Sequence, residues 1–192
     1  MAVRKKPTRS LKKVKKKWVR INSSKQFFKG QEIGESYTAD PQKVVGKVVK
    51  VNLMNLTGDP KKQSFNARFK VTKSEDTGAE ADFIGYTMAS SQVKRIVRRS
   101  TNKIEDSFVI KTKDNASVRI KPLMVTRNAT NNSVLTAIRK KSKEFITERS
   151  KAVDYTALVS EILAGKLQKD LRMSLKKIYP TNVVEIRALN KL

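Results

Sequence analysis

Residues 47–71 read KVVKVNLMNLTGDPKKQSFNARFKV, and the two apolar rhythms in this stretch decide the fold class. Lys47-Val48-Val49-Lys50-Val51-Asn52-Leu53 is rich in β-branched residues and reads as a strand. Phe65-Asn66-Ala67-Arg68-Phe69-Lys70-Val71 alternates apolar with polar residues, the period of a half-buried strand. Thr57-Gly58-Asp59-Pro60 supplies turn chemistry between them, so the pair is expected to form a hairpin. A second hairpin is expected where Phe108-Val109-Ile110-Lys111-Thr112 meets Ala116-Ser117-Val118-Arg119-Ile120. Asp114-Asn115 supplies its turn, since both residues tolerate positive φ. Pro122 has no backbone N–H to donate, which predicts that the second of these strands lies at a sheet edge or ends near it.

One helix is expected to interrupt the β region. Ser90 or Ser91 can cap its first turn, Val93, Ile96 and Val97 form its apolar face, and Arg98 and Arg99 fall in its last turn. Beyond residue 128 the apolar period lengthens. Val134, Leu135, Ile138, Phe145 and Ile146 recur at helical spacing. Asp154 is the expected cap of a second helix carrying Leu158, Ile162 and Leu163, with Gly165 as its stop. Leu167, Leu171, Leu175 and Ile178 mark a third, halted at Tyr179-Pro180, and Val183–Arg187 reads as a returning strand.

The predicted class is therefore α+β: an antiparallel β-sheet or barrel-like body with flanking helices and a C-terminal helical layer. Residues 1–17 are expected to be a basic tail, disordered when free. Residues 18–192 are expected to be a single domain, mainly β over 18–127 and mainly helical over 128–192.

Charge decides the class of partner. The chain holds 43 Lys and Arg against 17 Asp and Glu, a formal charge of +26. Ten of those cations, and no acid, fall in the first twenty residues. A body with this excess repels itself unless it sits beside a polyanion, and nucleic acid gains from each cation placed on a phosphate through counterion release. Catalytic chemistry finds no support. Without Cys or His there are no disulfides, no Cys/His zinc site and no imidazole for acid/base work. Gly46-Lys47 and Gly165-Lys166 lack the rest of a P-loop, and the adjacent acids Glu75-Asp76 and Glu105-Asp106 point to opposite faces of any strand. No enzyme activity, cofactor, metal or small-molecule substrate is predicted. No apolar run is long enough to span a membrane, and no apolar h-region follows the basic N-terminus, so the expected location is the cytoplasm.

The RNA-binding candidates fall into groups. In the tail they are Arg4, Lys5, Lys6, Arg9, Lys12, Lys13, Lys15, Lys16, Lys17 and Arg20. Lys94, Arg95, Arg98 and Arg99 are expected to share about two turns of helix opposite its apolar face. Arg127 ends the β region, and Arg139, Lys140, Lys141 and Lys143 follow, although Glu144 and Glu148 can pair with the lysines. Lys176-Lys177 reads rather as a complement to a helix dipole. Trp18, Phe27 and Phe28 are the candidates for stacking on unpaired bases, with core packing an equal reading for Trp18; Phe65, Phe69, Phe83, Phe108 and Phe145 are assigned to the core.

Longer matches then emerge. VVGKVVKVNLMNLTGD at 44–59 resembles the signature strand of the S-one-e family (formerly S-three-a-e) of archaeal and eukaryotic small-ribosomal-subunit proteins. Further agreement comes in order from Phe28 and Gly30, Ile33-Gly34-Glu35-Ser36, Asp82-Phe83-Ile84-Gly85-Tyr86-Thr87, Val97-Arg98-Arg99, the span from Asp106 to Arg127, and Lys177-Ile178-Tyr179-Pro180. Lys47, Lys50 and Asn55 replace the usual Arg, Glu and Asp, leaving the β pattern intact. The chain stops shortly after Glu185-Ile186-Arg187, without the longer extension of eukaryotic members, so the resemblance is to the archaeal branch. The resemblance implies a structural, ribosome-bound protein of the small-subunit platform near the messenger exit. Its implied partners are small-subunit rRNA and neighbouring ribosomal proteins, with messenger RNA a further candidate contact. The competing expectation is a free RNA chaperone or translational regulator binding mRNA.

Overall fold

Alternating β-branched and aromatic residues build nine strands among the described residues of the computed structural model, which are 15–28, 30–75 and 78–192. The strands are β1 Lys17–Ser23, β2 Glu32–Thr38, β3 Val48–Asn52, β4 Phe65–Ser74, β5 Ala79–Met88, β6 Lys103–Glu105, β7 Phe108–Lys111, β8 Ser117–Thr126 and β9 Thr181–Lys191. The helices are α1 Lys25–Phe28, α2 Leu53–Thr57, α3 Ser90–Ile96, α4 Asn132–Ala152, α5 Tyr155–Leu163 and α6 Lys166–Lys176. The class is α+β, as expected.

The strands run β2-β1-β5-β9-β8-β6 in one mostly antiparallel sheet, with β3-β4 attached to β5 and β7 to β8. β5 is the junction. β4 pairs along its whole length on one edge, while the other edge is shared by β1, parallel at residues 79–81, and by β9 at residues 85–87. The outer strands β2 and β3 do not pair, but Lys47 Nζ donates to Ser36 Oγ at 3.1 Å between them, so this part of the sheet curls towards closure.

Both predicted hairpins form. β3 and β4 pair from Val48↔Lys70 to Asn52↔Asn66, and β7 and β8 pair from Phe108↔Ile120 to Lys111↔Ser117. Asn115 takes the positive φ (57°) expected of the second turn. The first connection differs in detail. Leu53 leaves the strand and opens α2, because the Asn52 side chain accepts from the Met54 N–H and caps a helical turn.

Pro122 corrects the expectation of an edge strand. β8 continues through it and is flanked on both sides, by β9 on one and by β6 and β7 on the other. The β8–β9 register shifts between Lys121 and Pro122, so the missing N–H falls at a bulge, where the ladder makes no demand for it.

The helical C-terminal layer follows the apolar spacing. α4 places Ile138, Ser142, Ile146 and Ser150 inward at four-residue intervals, and both serines satisfy their hydroxyls on carbonyls of the same helix. Asp154 stands at the start of α5 but makes no side-chain cap; the Tyr155 N–H donates instead to Asp114 Oδ2 at 3.2 Å, from the β7–β8 turn. Gly165, at φ +75°, makes the corner between α5 and α6. Leu167, Leu171 and Leu175 of α6 are fully buried, with α6 lying against β9, α4 and α5, while Ile178 stays exposed. Replacing Leu171 with Ala should cost about 2–5 kcal/mol, the usual toll of a core cavity, measured as a lower urea midpoint with an unchanged m-value.

Candidate nucleic-acid interface

The first exposed cationic surface is the β1–β2 ribbon. Alternation buries Val19, Ile21 and Ser23 and turns Trp18, Arg20 and Asn22 outward. Register then sets Trp18 opposite Tyr37 and Arg20 opposite Glu35. The two rings lie 4.9 Å apart at 39°, with Trp18 65% and Tyr37 53% exposed. Lys16 Nζ stands 5.7 Å from the Tyr37 centroid, within cation–π range. The open question of Trp18 is thereby resolved towards the surface. Tyr37 was missed, because nothing in Glu35-Ser36-Tyr37-Thr38 says which side of a strand faces solvent until the partner strand is known. Arg20 Nε reaches Glu35 at 3.7 Å, but both side chains are well exposed, so the pair neutralises little. Lys15, Lys16 and Lys17 are exposed. Arg4, Lys5, Lys6, Arg9, Lys12 and Lys13, with the expected disorder of the tail, lie outside the described residues.

Phe27 and Phe28 are corrected from stacking candidates to core. Phe28 packs edge-on against Phe69 and Phe83, and Phe27 packs tilted against Phe83 and edge-on against Tyr155. Phe69 and Phe83 are buried, and Phe65, Phe108 and Phe145 pack partly buried against the same cluster. A short loop between β1 and β2 forces α1 back over the sheet, where its paired aromatics find apolar surface.

The second cationic surface is built around α3. Its N-cap position is Ala89, not Ser90 or Ser91, and no side chain caps it. The helix ends at Ile96, because Val97 is extended. Arg98 and Arg99 therefore lie in the turn beyond it, where the Thr101 hydroxyl bonds to the N–H and carbonyl of Arg98. Lys94 and Arg95 occupy the helix's last turn, and all four cations are exposed. None has an ion-pair partner among the described residues.

Asn102 ties this turn to the next basic segment. Its N–H donates to Thr126 Oγ1 at 2.9 Å, and its side-chain oxygen accepts from the Thr130 N–H at 2.8 Å. The Arg98-Arg99 turn, Arg127 and the start of α4 are thus held on adjoining segments. Arg139 is less free than expected, since its Nε pairs with Asp106 Oδ1 at 3.1 Å. Lys141 approaches Glu144 at 3.9 Å, whereas Lys140 and Lys143 are exposed and without an ion-pair partner among the described residues. Arg127 also shares a cleft of ≈ 590 Å³ with Arg172 and Lys176 of α6. Arg172 was overlooked, although the Leu167-Leu171-Leu175 stripe already turns it outward. The Trp18–Tyr37 ribbon and the Arg98-Arg99 turn are not brought together: β2 and β6 are opposite ends of the main strand order.

An α+β body with exposed cations on two surfaces, one bearing an exposed aromatic pair, defines a strongly basic protein whose surfaces suit a polyanion. No described helix is long and apolar enough to cross a membrane. The Ribosomal S3Ae family profile matches residues 5–192. The chain is 34% identical over 173 residues to small ribosomal subunit protein eS1 of Nanoarchaeum equitans, covering 90% of this chain and 87% of that protein. It is 31% identical over 172 residues to the eS1 protein of Methanothrix thermoacetophila, covering 90% and 81%. The chain belongs to the Ribosomal S3Ae family, and it is a ribosomal protein, not an enzyme.

Proposed function

We propose that this chain is a structural constituent of the small ribosomal subunit, bound to rRNA chiefly through phosphates and seated on the platform near the messenger exit. Membership of the family and the eS1 relatives support the subunit. The observation that carries the RNA contact is the cluster of exposed cations Lys94, Arg95, Arg98, Arg99 and Arg127, without ion-pair partners among the described residues, on segments stapled by Asn102. Arg guanidinium groups there can take phosphate oxygens two at a time. The tail cations Arg4, Lys5, Lys6, Arg9, Lys12, Lys13, Lys15, Lys16 and Lys17 would thread between rRNA helices and screen phosphates that otherwise repel one another. Arg20, Trp18 and the lysines of α4 would extend the contact, and neighbouring ribosomal proteins would cover part of the remaining surface.

Sedimentation of an extract tests the location. Stoichiometric presence in small subunits is expected; protein found mostly free of ribosomes would favour the reading as an RNA chaperone or regulator of messenger. Replacing Arg95, Arg98 and Arg99 together with Ala should weaken rRNA binding about 10- to 100-fold near 100 mM salt while leaving the circular dichroism spectrum unchanged. Unaltered affinity would remove the α3 region from the interface.

A further inference from the structure

A cleft of ≈ 530 Å³ opens between the α5–α6 corner, β9 and the segment after α2, within the size range of small-ligand sites. Its lining has an unusual polarity. Glu185 of β9 is half-buried, and among the described residues it has no ion-pair partner; burial pushes its carboxyl up, partly offset by a hydrogen bond from the Gln168 amide. One N–H of Gln168 Nε2 donates to the Ile162 carbonyl at 2.9 Å, and its Oε1 is buried without a partner among the described residues. Gln168 Oε1 is thus an acceptor still open, and Glu185 receives only the Gln168 amide, so both can take further donors from a ligand. The same cleft is bordered by the exposed cations Lys61, Lys169 and Arg172.

A ligand matched to this arrangement carries hydrogen-bond donors at one end and an anion at the other. Guanine presents N1–H and N2–H side by side, the edge that a carboxylate accepts as a pair. Adenine and cytosine each set a ring-nitrogen acceptor beside the amino group, and uracil flanks its one N–H with two carbonyls. A Lys or Arg from a protein partner would satisfy Glu185 but would be repelled by the cationic border. We propose that this cleft receives a single unpaired guanosine of RNA, its base edge on Glu185 and Gln168 and its phosphate among Lys61, Lys169 and Arg172. The proposal rests on the RNA-binding reading and adds a base-specific site to a contact otherwise made to phosphates.

Titrating the isotope-labelled full chain with guanosine, adenosine, cytidine and uridine 5′-monophosphates tests it by amide chemical shifts. Guanosine monophosphate should bind about tenfold or more tightly than the other three and shift the amides of Gln168, Lys169 and Glu185. Glu185→Gln and Gln168→Leu should each reduce that preference several-fold. Glu185→Gln removes a half-buried charge at constant shape, so the fold should survive it. Lys169→Ala with Arg172→Ala should weaken all four nucleotides alike and leave the preference intact. Equal binding of the four nucleotides, a preference untouched by both variants, or saturation by a short arginine peptide with no response to guanosine monophosphate would overturn the proposal. An adenosine-only oligonucleotide run in parallel separates the two levels. If it binds while guanosine preference is absent, only the cleft assignment fails; if it does not bind at low salt, the RNA reading fails.

Discussion

Deleting residues 1–16 should lower the salt exponent of RNA binding by about six to seven, the largest change expected from any single alteration to this chain. That segment holds eight Lys and Arg and no acid to neutralise them. With about ten cations on phosphates, the full chain's affinity should fall roughly as the seventh to ninth power of salt concentration. That amounts to about 10⁴–10⁵-fold between 50 and 200 mM. The shortened chain, left with the cations of the body, should bind weakly with an exponent of about one to two, a fall of roughly 4- to 16-fold over the same range. Anisotropy titrations of an rRNA fragment at four salt concentrations measure both slopes. The fold should be spared, because β1 begins at Lys17 and its buried residues Val19, Ile21 and Ser23 remain. A change in exponent below about two would place the phosphate contacts on the body instead.

Gly85→Ala should destabilise the protein by about 2–4 kcal/mol, a fall in Tm of roughly 5–15 °C. Gly85 lies where β5 pairs with β4 through Arg68 and with β9 through Asn190. Its φ is +156°, and a Cβ built there collides with the Leu189 carbonyl oxygen and comes within 2.8 Å of the Leu189 carbonyl carbon and 2.9 Å of Asn190 Cα. These are backbone atoms of a paired strand, so no side chain can swing aside to relieve the clash. The last residues of β9 would have to separate from β5, loosening the seam that joins the β1–β5 half of the sheet to the β6–β9 half. Calorimetry reads the effect directly. A Tm within 2 °C of the parent would mean that β9 docks less closely than described.

The elements with strong local signals were readable. The hairpin of β3 and β4 was visible because alternation and turn residues lie within 25 consecutive positions. The Leu167-Leu171-Leu175 stripe announced α6 because one helical face carries nearly all of its burial. Signals that depend on neighbours were not. Pro122 reads as an edge residue when only its own N–H is considered, and only the bulge against β9 shows how a central strand absorbs it. Asp154 has the right chemistry and position for a cap, but Asp114, 41 residues away, reaches the Tyr155 N–H instead. Arg98 and Arg99 continue a helical charge pattern, yet Val97 turns extended and sets them in a turn.

Composition alone determined the kind of partner, since a net charge of +26 with no His or Cys admits a polyanion and removes most catalytic chemistry whatever the chain's shape. Periodicity alone determined that a β region precedes a helical one, because the hydrophobic repeat is a local property of the backbone. Which cations share a face had to await the fold. That depends on Asn102 joining two segments and on β5 dividing one of its edges between β1 and β9, and such contacts between distant residues leave no mark on the residues beside them. The same holds for Glu185, an ordinary strand acid in the chain order, which packing against α6 turns into a half-buried acceptor in a cleft.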